Sequence, residues 1–113
     1  MSTRRYSPDH AWVETDGRMG LTARFFRGIS HVDALHLAEL GTQLQAARPL
    51  GWVEAEKGTF DIYSPLDGTV VERNEALLRD STPLLREPER TWLLRIAGKP
   101  GRLLSAAEYT ALR

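Results

Sequence analysis

Short β-favouring runs, each cut off by a turn signal, recur along this chain and constrain its fold more than any other feature. Ala11–Thr15 reads as a strand ending at Asp16–Gly17, and Arg18–Thr22 completes a hairpin. His31–Leu37 is mixed in pattern but of strand length. Leu50–Glu56 runs into Lys57–Gly58, and Thr59–Tyr63 runs out again. Trp52, Val53, Phe60, Ile62 and Tyr63 are residue types that fit a pleated surface, and Gly58 can supply the positive φ a tight turn often needs. This stretch predicts a hairpin with Lys57 at or beside its tip. Ser64–Gly68 reads as another turn, followed by a strand at Thr69–Glu72; Thr91–Ala97 reads as a strand buried on both faces. Ala23–Ile29 allows one or two helical turns, and Ser105 with Glu108 has the spacing of a capping box opening a short helix through Leu112. Strands this short and this regularly interrupted predict a mainly β fold, a small sandwich or barrel. A faint echo between Gly41–Leu44 and Gly68–Val71 suits two similar halves.

A length of 113 residues predicts one domain, residues 1–113, with a modest core and little room for a separate catalytic cleft. The net charge of zero provides no general attraction to nucleic acid or anionic lipid. Cysteine is absent, which excludes disulfides, thiolate metal sites and a cysteine nucleophile, and suits a reducing compartment. The first ten residues lack an apolar signal region, and no stretch approaches the roughly 18 apolar residues of a membrane span. The expectation is a soluble, cytoplasmic monomer. Of the 15 basic residues only Lys57 and Lys99 are lysines, so a lysine-modifying enzyme meets few amines.

Three other chemistries are weaker readings. Ser7, Asp9 and His10 are the types of a hydrolytic triad, but neighbours on one extended segment point different ways and no nucleophile elbow is present. His10, His31 and His36 read as scattered surface histidines, because on a strand positions 31 and 36 face opposite sides. Trp12, Phe25, Phe26 and Trp52 could stack on bases. Without net positive charge, core and helix-packing roles fit them better, with one of the adjacent phenylalanines partly facing solvent and Trp92 in the core strand.

Three segments in order, Arg5–Val13, Val53–Asp61 and Tyr63–Leu77, resemble the glycine cleavage H-protein family, and Leu104–Tyr109 is similar to its closing helix. The resemblance spans almost the whole chain. It implies a lipoyl/biotinyl-type barrel-sandwich hybrid with a short helix after the first hairpin and a C-terminal helix. It also implies a lipoyl group joined by an amide to Lys57, with Glu56, Gly58 and Asp61 beside it. Such a protein is a carrier and not an enzyme, with no catalytic residues and no metal of its own. Its implied partners are a lipoate ligase or lipoyl transferase, glycine decarboxylase, aminomethyltransferase and dihydrolipoyl dehydrogenase. The carried load would be an aminomethyl group and reducing equivalents. Biotin carriers are similar to a Met-Lys-Met pattern, whereas Glu56 and Gly58 flank this lysine.

Elementary physics agrees with the carrier reading. A lysine on a hairpin tip puts a long flexible stem on a rigid base. Acylation removes its charge and lowers the cost of entering a low-dielectric pocket. Glu54, Glu56 and Asp61 are expected to ring the tip with negative charge as a docking label for basic partners. The departures from the family pattern also count. Ala11 stands where an acidic residue, which helps hold the amine of the loaded arm, is usual, and Gly28 stands where a histidine is expected. Asp16–Leu21 is shorter than the family's segment, and Glu56-Lys57-Gly58 replaces the usual Val-Lys-Ala. These departures open an alternative: an H-like lipoate-binding protein carrying sulfur for heterodisulfide-reductase-like enzymes of sulfur oxidation.

Overall fold

The computed structural model describes residues 4–100 and 102–112, and of residue 100 the backbone only. Among the described residues, nine strands form two antiparallel sheets around one core. They are β1 (Arg5–Tyr6), β2 (Ala11–Val13), β3 (Arg18–Leu21), β4 (Val32–Leu37), β5 (Gln43–Leu44), β6 (Pro49–Ala55), β7 (Gly58–Tyr63), β8 (Leu66–Arg73) and β9 (Trp92–Pro100). The larger sheet has the order β1-β2-β3-β9-β8-β5 and the smaller β4-β6-β7. Three short helices accompany them, α1 (Glu75–Arg79), α2 (Thr82–Arg86) and α3 (Ala106–Thr110), with 3₁₀ turns at Ala23–Phe26 and Pro88–Arg90. This is the barrel-sandwich architecture, with the short helix after the first hairpin and the closing helix in place.

Alternation builds the core. In β6 and β7 the side chains of Val53, Ala55 and Ile62 are buried, while Trp52, Thr59, Asp61 and Tyr63 lie on the exposed face. The larger sheet contributes Met19, Leu21, Leu94 and Ile96 from its inner face. Here β9 lies between β3 and β8, so its apolar run follows from a central position. Trp92 opens that strand half-buried, with the Arg18 guanidinium 5.3 Å from its ring centroid. The closing helix carries the expected capping box: Glu108 N–H donates to Ser105 Oγ (3.1 Å) and Ser105 N–H donates to Glu108 Oε1 (2.8 Å).

One predicted turn is shorter than its sequence suggests. β8 begins at Leu66, so Gly68 lies inside a strand and pairs with Gly98 on one side and Leu44 on the other. Gly68 is needed for close approach: a Cβ there would sit 2.5 Å from the Ala97 carbonyl oxygen. The two echoing segments meet, since Gln43 pairs with Thr69 and the Gly41 N–H donates to the Val70 carbonyl (2.9 Å).

Candidate functional site

The long hairpin of β6 and β7 runs to a two-residue turn, Glu56–Lys57, closed by the pair Ala55 and Gly58. Gly58 has φ +133°, and nothing lies within 4 Å of where a Cβ would be, so backbone freedom alone accounts for the glycine. Lys57 is exposed, and among the described residues its ammonium forms no ion pair. Its ammonium lies toward the turn after Ala23–Phe26. A Cβ on Gly28, which has φ +80°, would be 3.4 Å from Lys57 Nζ.

The three carboxylates near the tip do different things. Glu54 is hydrogen-bonded to His36 Nε2, and that imidazole stacks on Trp52 with centroids 4.4 Å apart. Glu56 accepts three hydrogen bonds from the neighbouring loop: Ser30 N–H (2.8 Å) and Ser30 Oγ–H (2.8 Å) to Oε2, and His31 N–H (3.0 Å) to Oε1. The Ser30 backbone and hydroxyl donors favour the ionised form and bring the Glu56 carboxyl down to about 2 from its usual 4.5. Only Asp61 opens onto a cleft. Of the acidic residues expected around the tip, Glu54 and Glu56 are thus also engaged by groups of this chain.

That cleft, about 480 Å³, is lined by Asp9, His10, Phe25, Thr59, Asp61 and Tyr63 among others. It brings Asp9 beside Asp61, which sequence reasoning placed only in a discarded triad. Ser7 and His10 are otherwise engaged. Ser7 Oγ accepts from Ala11 N–H (3.1 Å), and His10 Nδ1 is 2.7 Å from the Tyr109 hydroxyl. Tyr109 also bonds Thr22 Oγ1 at 2.6 Å, so the residue before β2 and the residue after β3 are both tied to α3. His10 is half-buried and not a plain surface histidine, and it takes a left-handed φ of +72°. Burial first, and then the charge of Arg24, hold its pKa below the usual 6.5 and favour a neutral ring. Ala11 is fully buried in the core cluster and does not line the cleft. Of the two phenylalanines, Phe26 is buried and Phe25 half-buried against the cleft.

Fold and site together define a class: a barrel-sandwich hybrid that presents one unpaired lysine on a hairpin tip. Comparison with known proteins narrows that class. The family model for the glycine cleavage H-protein matches residues 4–111. The glycine cleavage system H protein of Geobacillus thermodenitrificans is 34% identical, covering 96% of this chain and 91% of that protein. That of Streptomyces coelicolor is 36% identical over 95% of this chain and 91% of its own. A crystal structure of the H protein from Mycobacterium marinum superposes with TM-score 0.88 at 29% identity, covering 97% of this chain and 95% of that one. The chain belongs to the glycine cleavage H-protein family. The relatives named here are all glycine cleavage H proteins, and the sulfur-oxidation alternative gains no support from them. Among the described residues no helix is long and apolar enough to cross a membrane, and no cluster of His, Cys, Asp and Glu could hold a metal ion.

Proposed function

We propose that the chain is a lipoyl carrier of glycine cleavage, with the lipoyl group held by an amide on Lys57. The observation that carries this reading is an exposed, unpaired amine on a two-residue turn at the end of a rigid hairpin. The residues fit the group: the tip is open around Gly58, where nothing lies within 4 Å of an added Cβ. When bound, the lipoyl group would supply the dithiolane that takes up an aminomethyl group and reducing equivalents from one enzyme and delivers them to others. Lys57 provides the tether, and Gly58 lets the turn close. Asp61 and Asp9 give the adjacent cleft a negative character that suits a cationic load.

Attachment needs a lipoate ligase or lipoyl transferase. The working partners are glycine decarboxylase, aminomethyltransferase and dihydrolipoyl dehydrogenase. The reading is tested by adding the lipoylated chain to glycine decarboxylase and following the exchange of labelled bicarbonate into glycine. Exchange comparable to that of an ordinary H protein is the expected result. A fully lipoylated chain that supports no exchange would overturn the glycine reading.

A further inference from the structure

The Glu56 carboxylate is next to Lys57 in sequence, yet it grips a loop 26 residues away. This grip matters because of where the backbone pairing ends. The tip is paired to β7 through Ala55 and Gly58, and to β4 through Ala55 and Val32, with a register irregularity between Val32 and Ala34. A two-residue turn at the end of such a ladder has few contacts of its own, so bonds from beyond the ladder restrict the orientations it samples. Three hydrogen bonds to one ionised carboxylate do this, and charge-assisted bonds are the strong ones. The loop they hold also carries Gly28, two residues before Ser30, and Gly28 lies beside the Lys57 ammonium.

We propose that Glu56 is a positioning residue for Lys57: by tying the hairpin tip to Ser30 and His31 it holds the lysine in the orientation that the lipoyl-attaching enzyme binds. The proposal rests on the Lys57 reading above. The carboxylate touches neither the amine nor any ligand; it acts by restricting the tip. A tip that pivots presents the competent orientation only part of the time, and the apparent affinity for an enzyme falls by that fraction. Turnover of the bound complex is unaffected, so the effect falls on KM and not on kcat. The low pKa of Glu56 keeps the staple charged throughout the physiological range.

The test is steady-state lipoylation by a lipoate–protein ligase supplied with lipoyl-adenylate, using the whole chain and its Glu56→Ala and Glu56→Gln variants. Amide hydrogen exchange at Ser30 and His31 is measured on the same samples. Glu56→Ala is expected to raise KM roughly three- to tenfold with kcat within about twofold, as the competent fraction falls. Glu56→Gln keeps one carbonyl acceptor and should fall between. Exchange at both amides should quicken in step, while the thermal midpoint falls by no more than about 5 °C. An unchanged KM in a Glu56→Ala chain whose two amides have lost protection would overturn the proposal. A kcat that falls with the thermal midpoint would also overturn it, since that marks a merely structural role. A wild-type chain that takes no lipoyl group although both amides are protected would instead remove the Lys57 reading, and the positioning role with it.

Discussion

The two sheets share one core but treat their outer faces in opposite ways, and their tryptophans show it. Trp12, on the larger sheet, is 2% exposed; the Arg4 guanidinium lies 3.9 Å from its ring centroid, and its indole N–H donates to the Pro88 carbonyl (3.0 Å). Trp52, on the hairpin sheet, is 41% exposed and is stacked on His36. The outer face of the larger sheet is thus covered where Trp12 lies on β2, whereas the smaller sheet leaves its Trp52 face open to solvent. The difference teaches how a carrier of this size divides its labour. One sheet provides the rigid base, and the other presents a tip that enzymes can reach.

The comparison predicts unequal costs for the same truncation. Trp12→Ala should destabilise the chain by about 3–5 kcal/mol, the range for deleting a buried aromatic, read by urea unfolding. Trp52→Ala should cost no more than about 1 kcal/mol, mostly its ring stacking, in the same experiment. Equal losses would erase the distinction between the covered and the open face.

A smaller effect concerns the contact between the base and the cleft. The His10 pKa is lowered in the folded chain, so the unfolded chain binds that proton more readily. Stability is therefore full above the unfolded value and falls as pH drops below about 6.5, flattening once the folded ring is protonated. The depressed carboxyls of Glu56, Asp80 and Glu108 act only at lower pH, below their usual range. Thermal midpoints measured between about pH 7.5 and pH 5.5 should decline, and less so in His10→Gln. Identical slopes in the two proteins would show that the imidazole is not the group involved.

Much of this was legible in the sequence, for physical reasons that can be named. The hairpin was visible because β-favouring residues flank Lys57–Gly58 on both sides, and the last helix because Ser105 and Glu108 are three apart. Gly68 misled because a glycine placed for close strand approach looks the same as one placed for a turn. The helices α1 and α2 carry no visible period because each has five residues with a single buried leucine, Leu77 or Leu84. The role of Glu56 was hidden for another reason. A carboxylate beside a lysine reads as surface charge, and its true partners lie 25 and 26 residues away in sequence. Asp9 reached the cleft only through the fold, which sets the turn before β2 against β7.

What decides the account is which amine carries the lipoyl group. The chain co-expressed with a lipoate ligase is digested and its lysine peptides are weighed by mass spectrometry. One lipoyl group on Lys57, and none anywhere after Lys57→Arg, is the predicted result. A lipoyl group on Lys99, or a wild-type chain that stays unmodified, would contradict it.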